Sequence, residues 1–116
     1  MMDKHNPNSD EFNVPVKLRE LYAKKDFGKF AENGTVPLAF IADCHTTGGN
    51  SGSPLINAKG ELIGTNFDGV WEGLVGDIQF NPDLTRNISV DIRFILFIID
   101  KYGHAKNLMD ELNLVD

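Results

Sequence analysis

The feature that most constrains this chain is a glycine-rich stretch, residues 48–54, which carries Ser51 between two segments typical of β-strands. Because glycine has no Cβ, it lets the backbone adopt positive φ and approach a ligand closely. Two main-chain N–H groups that converge beside a serine hydroxyl can bind the negative charge that develops during acyl transfer. The stretch therefore predicts a tight turn between strands and, as its candidate function, a nucleophile loop.

Length and charge limit the other possibilities. With 116 residues and 41% hydrophobic residues, the chain is expected to form one domain with a modest core. A net charge of −6 argues against nucleic acid as a partner, because phosphate neutralisation needs clustered Lys and Arg. The longest apolar stretch, residues 94–99, is too short to span a bilayer.

No cofactor or metal site is predicted. Asp43, Cys44 and His45 are potential metal ligands, but consecutive strand residues point to alternating faces and cannot converge. Cys44 is the only cysteine, which excludes an internal disulfide, and it is interpreted as a small buried hydrophobe.

Hydrophobic periodicity predicts one helix near the N-terminus, several strands and two C-terminal helices. Pro15 is expected to begin the first helix and Gly28 to end it. The helix over residues 91–103 is apolar almost all round and should be buried, with Gly103 at its end. The predicted strands are residues 36–42, 54–57, 61–67, 78–80 and 87–90, with turns at 33–34, 57–60 and 81–82 and a loop over 68–76.

This order of elements predicts a mainly β fold with a C-terminal helix and a short N-terminal helix. Strands followed by a helix favour a small antiparallel barrel or sheet closed by that helix. Residues 1–13 are expected to be a loose N-terminal segment. Residues 14–116 are expected to form the barrel, with closing helices at 91–103 and 105–113.

Other glycine-loop chemistries fit residues 48–54 poorly. A phosphate-binding loop needs Gly-Lys-Ser/Thr at the start of a helix, and no lysine follows here. The nucleophile elbow of α/β-hydrolases needs a glycine two residues after the serine, where this chain has Ser53. The pattern Gly-x-Ser-Gly-x-Pro resembles the nucleophile loop of trypsin-like serine peptidases instead. The structural alternative is a tight turn whose serine only caps backbone groups.

The resemblance extends over most of the chain. Residues 45–54 (HTTGGNSGSP) and 57–68 (NAKGELIGTNFD) resemble the bacterial dipeptidyl-peptidase 7 and dipeptidyl-peptidase 11 family. The segments 71–73 (WEG), 76–78 (GDI) and 88–93 (ISVDIR) continue it, and residues 17–22 and 25–28 extend it upstream. The resemblance runs from about Asn8 to the C-terminus, with its motifs in order. It implies the C-terminal half, one β-barrel, of a trypsin-like double-barrel serine peptidase.

The resemblance also implies roles for individual residues. Ser51 matches the nucleophile, Gly49 supplies an oxyanion-hole N–H together with Ser51, and Asn50 belongs to the nucleophile loop. Asp68 matches the carboxylate that receives the free amino terminus of the substrate, and Phe67 is assigned to substrate binding beside it.

Gly69 lies at the specificity position. Dipeptidyl-peptidase 11 resembles this chain but has arginine there, whereas Gly69 offers no charge and leaves room. The chain therefore looks closer to dipeptidyl-peptidase 7, which accepts hydrophobic residues before the cleaved bond. Gly69 could equally be a turn glycine with positive φ.

The role of Asp68 is consistent with the distance that a dipeptidyl-peptidase must measure. An extended dipeptide spans about 7 Å, and its α-ammonium, with a pKa of about 8, is mostly charged at neutral pH. The alternative is that Asp68 only caps a turn, as aspartates after strands often do.

The family's catalytic histidine and aspartate lie far upstream and have no counterpart here. His45 belongs to the motif and is interpreted as a loop-fixing residue. We therefore expect the isolated chain to be nearly inert, with peptides as substrates and the missing N-terminal half as its partner. A homodimer through the uncovered surface is also expected.

The resemblance places the full-length parent in the periplasm or on the surface of a Gram-negative bacterium. This chain itself shows no signal peptide. Two other functions remain open. One is a non-catalytic module that binds peptide amino termini, and the other is an endopeptidase of trypsin-like fold.

Overall fold

The computed structural model describes residues 1–70, 83 and 85–115. Its helices are α1 (Val16–Lys24), α2 (Ile92–Phe97) and α3 (Lys106–Glu111), with a π-helix (Ile98–Tyr102) directly after α2 and 3₁₀ turns at Met2–Lys4 and Gly28–Phe30. Its strands are β1 (Ala39–Ala42), β2 (Pro54–Ile56), β3 (Leu62–Gly69) and β4 (Asn87–Asp91). None of the helices in the described residues is long and apolar enough to cross a membrane.

The strands form one antiparallel sheet in the order β1-β4-β3-β2. Strands β2 and β3 form the predicted hairpin, with Leu55 opposite Gly64. In the described part of the chain β1 and β2 are the two edges of the sheet. The predicted antiparallel sheet with C-terminal helices is therefore confirmed, whereas a mainly β composition and closure into a barrel stay predictions.

The chain divides into two compact units, of which the first comprises Met1–Val36 and Leu96–Leu112. This helical unit has an apolar core centred on Phe27. Its ring lies 6.1 Å from that of Tyr22 and makes an edge contact with Phe97 at 6.3 Å. The buried apolar side chains of this unit are Val14, Leu18, Phe27, Phe30 and Phe97.

The second unit, Pro37–Ile95 with Asn113–Asp116, contains the sheet in its described residues. Its most deeply buried side chains are polar, and those of Asn87 and Ser89 have no exposed surface. Among the described residues of this unit, the buried polar side chains are Asn66, Thr85, Asn87, Ser89 and Asp91. Because a buried polar group is costly unless it is hydrogen-bonded, each of these side chains is expected to have a hydrogen-bond partner.

Local turn chemistry agrees with the sequence. Asn33 and Gly34 both have positive φ, 52° and 79°, between the bridged pair Glu32 and Thr35, which confirms the predicted turn. A two-residue hairpin turn of this type needs positive φ at both central positions, which Asn-Gly supplies. The turn over residues 57–60 is also confirmed, since the Gly60 N–H donates to the Asn57 carbonyl at 3.0 Å.

The two predicted helix ends differ from the observed ones by three residues and by one residue, respectively. Lys25, with φ 54°, ends α1 in place of Gly28, and its N–H donates to carbonyls of the last turn. Gly103 has φ −83°, and the left-handed residue after the π-helix is His104. The residue that adopts the left-handed conformation is the one at which the helical hydrogen bonds end. Here these residues are Lys25 and His104, although glycine adopts this conformation more easily.

The predicted burial of residues 91–103 is also too great. Phe97 is buried, but the other apolar side chains of α2 and the π-helix are half-buried. A chain of this length has too small a core to cover every face of an apolar helix. The first strand begins at Ala39, three residues later than predicted from residue 36. The predicted strand 78–80, the turn 81–82 and residues 71–76 of the predicted loop lie outside the described residues.

Candidate active site

The serine loop connects β1 to β2, and Ser51 is exposed within it. The side chain of Asn50 folds the loop back on itself, because its Oδ1 accepts the Thr47 N–H at 2.8 Å. The Asn50 N–H donates in turn to the Thr47 carbonyl at 3.1 Å. Gly49 and Gly52 have φ values of +100° and +86°, and a Cβ at either position would meet no atom within 4 Å. Glycine is therefore required here by the backbone conformation and not by lack of space.

The main-chain amides of this loop fall into two groups. The N–H groups of Asn50, Gly52 and Ser53 donate to the carbonyls of Thr47, Asn66 and Asn50 at 2.8–3.1 Å. Among the described residues the N–H groups of Gly48, Gly49 and Ser51 donate to no acceptor. The two amides that the motif assigns to an oxyanion hole are thus both available to a ligand.

A pocket of about 180 Å³ lies beside the loop and is open on one side. Ser51 and Asp68 both line it, together with the end of β3. The structure therefore brings the predicted nucleophile and the predicted amine-binding carboxylate to one cavity. The described residues that line it are Thr46, Thr47, Gly48, Ser51, Asn66, Phe67, Asp68, Gly69, Val70, Thr85 and Arg86.

A β-bulge presents the end of β3 to this pocket. Asn66 pairs with Ser89 and Asp68 with Ile88, which leaves Phe67 as the extra residue. Such a bulge changes the direction of the side chains that follow it. Asp68 is exposed, and among the described residues its carboxylate accepts only the N–H of Gly69, at 2.8 Å. It is therefore accessible to a cation entering from solvent.

Gly69 lies in β3, and it is not among the glycines with positive φ. The interpretation of Gly69 as a turn glycine is therefore wrong. A Cβ at this position would lie 3.7 Å from the Arg86 carbonyl, an ordinary contact, so the backbone accommodates a side chain there. Phe67 is 46% exposed and forms an apolar part of the wall.

The sequence reasoning missed several residues at this site. Thr85 and Arg86, directly before β4, line the pocket with Asp68, although the sequence analysis assigns them no role. Asn66 and Asn87 lie beneath the loop as hydrogen-bonded buried amides. One feature of the sequence could have identified these two asparagines. Each lies in a predicted strand at a position that faces the interior, where an apolar residue is usual.

Two other interpretations concern the residues before the loop. Cys44 is exposed, so its interpretation as a buried hydrophobe is wrong. Its main-chain N–H donates a hydrogen bond to Asn87 Oδ1 at 3.3 Å. His45 is exposed, and no histidine is among the described residues that line the pocket. In the described part of the chain no group of side chains could hold a metal ion.

Comparison with known proteins identifies the family. The Peptidase S46 family model matches residues 1–114. The chain belongs to the peptidase S46 family. The predicted resemblance to dipeptidyl-peptidases 7 and 11 is thereby confirmed, and the match extends further toward the N-terminus than Asn8.

Curated S46 relatives have two kinds of name. The chain is 57% identical to an "Asp/Glu-specific dipeptidyl-peptidase" of Capnocytophaga gingivalis and covers 16% of its length. It is 56% identical to a "Dipeptidyl-peptidase 7" of Phocaeicola vulgatus, again over 16% of the relative's length. In both comparisons nearly the whole chain is aligned, 99% and 100% respectively. Because the identities are almost equal, overall similarity does not support placing this S46 chain closer to dipeptidyl-peptidase 7.

The fold of this S46 segment also matches solved structures. A crystal structure of Porphyromonas endodontalis DPP11 superposes with a TM-score of 0.91 and 51% identity over 95% of the chain, which is 16% of that protein. The same DPP11 in complex with the dipeptide Arg-Asp gives a TM-score of 0.90. The chain thus has the fold of one segment of a much longer peptidase.

Proposed function

We propose that this chain is the C-terminal, nucleophile-bearing part of a serine dipeptidyl-peptidase that releases dipeptides from the free amino terminus of peptides. The observation that supports this most directly is the hydrogen-bonding pattern of the main-chain N–H groups around Ser51. The N–H groups of Gly49 and Ser51 donate to no acceptor among the described residues, while the amides of Asn50, Gly52 and Ser53 are all engaged. An oxyanion hole needs donors of this kind, held by a rigid loop and not used internally.

Asp68 is proposed to bind the substrate's α-ammonium. It lines the same pocket as Ser51, and its exposed carboxylate has one described hydrogen bond. A carboxylate about one dipeptide length, ~7 Å, from the nucleophile would measure two residues from the free end. This arrangement favours an exopeptidase over an endopeptidase, because an internal peptide segment has no α-ammonium group to pair with Asp68.

For specificity, we propose that the position before the cleaved bond accepts uncharged, apolar side chains. Gly69 adds no charge, and Phe67 gives the pocket an apolar wall. The relatives' names do not support this preference, since one is called Asp/Glu-specific at 57% identity. Arg86 lines the same pocket and gives it a cationic group, so acidic substrates are the alternative to be tested.

The remaining parts of the proposal concern the parent protein. Its other half would supply the histidine base and aspartate and complete a trypsin-like double barrel, of which this chain forms one barrel. The isolated chain would be nearly inert, because a serine without its base is a poor nucleophile. We propose a periplasmic or cell-surface location in a Gram-negative bacterium, and self-association of the isolated chain as a homodimer.

The test uses a hybrid enzyme, defined as the Capnocytophaga gingivalis relative in which this chain replaces the segment that it matches. We expect the hybrid to release dipeptides from chromogenic substrates with a free amino terminus and not from N-acetylated ones. Ser51→Ala should lower kcat by on the order of 10⁶, whereas the matched control Ser9→Ala, in the helical unit, should not change it. A folded hybrid that keeps its activity with Ser51→Ala would refute the proposal.

A second candidate function is a module that binds peptide amino termini without cleaving them. It is favoured by the absence of a histidine among the described residues that line the pocket. The hybrid distinguishes the two, because a binding module would hold the peptide without turnover even when the other half of the enzyme is present. Substrates with Leu, Asp or Glu before the cleaved bond then measure the specificity of an active hybrid.

A further inference from the structure

Three buried polar side chains lie beneath the serine loop in one hydrogen-bonded cluster. Asn66 is 5% exposed, and Asn87 and Ser89 are completely buried. The Asn87 Nδ2 donates to Asn66 Oδ1 at 3.0 Å and to Ser89 Oγ at 3.1 Å. Among the described residues no buried side-chain nitrogen or oxygen is left without a partner. Such a network is costly to bury unless it is fully paired, and full pairing makes it rigid.

The direction of the hydrogen bonds in this cluster is set at both ends by backbone groups. The Cys44 N–H donates to Asn87 Oδ1 at 3.3 Å, so the Asn87 NH₂ must face Asn66. The Asn66 Oδ1 accepts from it, which turns the Asn66 NH₂ toward the Asn50 carbonyl at 3.1 Å. A main-chain N–H can only donate and a carbonyl can only accept, so neither amide can be flipped without losing hydrogen bonds.

The Asn50 carbonyl is the acceptor of several donors at once. Besides Asn66 Nδ2, it accepts the Ser53 N–H at 3.0 Å and the Ser53 hydroxyl. The backbone of Asn66 also holds the loop, since its carbonyl accepts the Gly52 N–H at 2.8 Å and its N–H donates to the Ser53 carbonyl at 2.9 Å. Ser53 from within the loop and Asn66 from the interior side therefore together fix the peptide group that joins Asn50 to Ser51.

The geometry of that peptide group connects the cluster to the reaction. A trans peptide is planar, and its C=O and N–H point in opposite directions. No cis peptide bond occurs in the described chain. Because the Asn50 carbonyl is held toward the buried cluster, the Ser51 N–H must point away from it, and this amide has no acceptor among the described residues.

We infer that Asn66 is a positioning residue that aims the Ser51 amide at the oxyanion of the transition state, an inference that rests on the proposed function. Asn87 supports it by fixing which way the Asn66 amide faces. Asn66 itself does not touch the reacting atoms. Its effect should therefore appear in the stabilisation of the transition state and not in the binding of the ground state.

The test replaces Asn66 in the hybrid enzyme by Asp, which has the same shape without the NH₂ donor, and by Ala. We expect kcat to fall by about 10- to 100-fold with KM changed by less than about threefold, since complete loss of an oxyanion donor costs about 10²–10³. The matched control is Asn57→Asp and Asn57→Ala. Asn57 binds only its own hairpin turn, through Lys59 N, Glu61 N and the Glu61 carboxylate. These controls should lower stability and leave kcat unchanged.

A second measurement uses the chain itself. In ¹H–¹⁵N spectra, Asn66→Asp should shift the Ser51 amide resonance, while Asn57→Asp should leave it in place. Unchanged kcat in folded Asn66 variants, or an unchanged Ser51 amide, would overturn the inference. Loss of folding in both Asn66 variants, read by circular dichroism, would make Asn66 a purely structural residue and would also overturn it. If the hybrid with Ser51→Ala keeps its activity, both the proposed function and the inference fail. If the Ser51→Ala hybrid is inactive but the Asn66 variants keep full activity, only the inference fails.

Discussion

At the scale of single residues, the carboxylates in the sheet unit have different environments. Asp68 is exposed at the pocket, whereas Asp91 is 6% exposed and bonds Arg93 with both oxygens, at 2.8–2.9 Å. An accessible carboxylate can pair with an arriving cation. A carboxylate already paired within the protein stabilises the fold. The two residues therefore lead to different predictions.

Asp68→Asn tests the binding of the substrate's amino terminus. In the hybrid we expect KM to rise by about 10- to 100-fold, because a hydrogen bond between charged groups contributes about 1.5–3 kcal/mol. The difference from the unsubstituted hybrid should shrink above about pH 8, where the α-amino group loses its charge. Asp43→Asn, an exposed aspartate of the same unit that does not line the pocket, is the matched control. An unchanged KM with Asp68→Asn would exclude Asp68 from amine binding.

Asp91 should make stability depend on pH. Burial opposes its ionisation, but the hydrogen bonds and charge of Arg93 outweigh this and hold the pKa of Asp91 below its usual value. The stabilisation is therefore present above the unfolded pKa, about 3.9, and is lost as pH falls through the lower folded value. We expect Asp91→Asn to reduce the free energy of unfolding by about 1 kcal/mol at pH 7, and this difference should shrink as the pH falls through the lowered pKa of Asp91. Urea denaturation across pH measures this, and a difference that is independent of pH would contradict it.

At the scale of secondary structure, the site depends on how closely β3 and its neighbours approach. Gly64 lies opposite Asp91 in the sheet. A Cβ on Gly64 would lie 2.7 Å from the Val90 carbonyl oxygen and 3.0 Å from the Phe40 ring. A side chain at this position would therefore push β3 away from the backbone of β4, two residues before Asn66.

Gly64→Ala is expected to destabilise the fold by about 1–3 kcal/mol, the usual cost of overpacking. Thermal or urea unfolding of the isolated chain gives the value. Gly48→Ala is a suitable comparison, because a Cβ there meets nothing within 4 Å and its φ is not positive. Equal stability of the two variants would mean that the sheet opens at Gly64 without cost.

At the scale of the whole molecule, the sheet unit lacks an apolar core of its own among the described residues. Its deeply buried side chains are polar, and several large apolar ones are exposed by 42–63% of their surface. Apolar surface on this scale is typical of an interface. The exposed set in this unit is Leu38, Ile41, Ile56, Leu62, Phe67 and Val115.

We therefore expect the isolated chain to self-associate and to be almost inactive. Light scattering over a wide concentration range should give a mass that rises above the monomer's 12.9 kDa. A fluorophosphonate probe should label Ser51 far more slowly in the isolated chain than in the hybrid, because the base is missing. A monomer at all concentrations would argue against an uncovered interface, and rapid labelling that Ser51→Ala abolishes would refute the predicted inertness.

The sequence alone determined the features that depend on local backbone conformation. Asn33-Gly34, the turn at Asn57 and the loop around Gly49 and Gly52 all need dihedral angles that few residues adopt, so the residues themselves indicate the turns. The family resemblance also depended on the sequence alone, because several motifs occur along the chain in the same order as in the family. Helix ends and strand starts were less accurate, as Lys25, His104 and Ala39 show, because terminal hydrogen bonds decide them.

Only the tertiary structure decided which distant residues meet beneath Ser51. Asn66 reaches Asn50 across 16 positions, Asn87 reaches Asn66 across 21, and Cys44 reaches Asn87 across 43. No local pattern encodes these distances, because strand pairing and a bulge bring the residues together. Ser53 holds the Asn50 carbonyl from within the loop, but Asn66 reaches it only in the packed sheet. The direction of the Ser51 amide therefore depends on the fold as well as on the loop sequence, because the hydrogen bonds from Asn66 and Asn87 exist only where strand pairing brings these residues together.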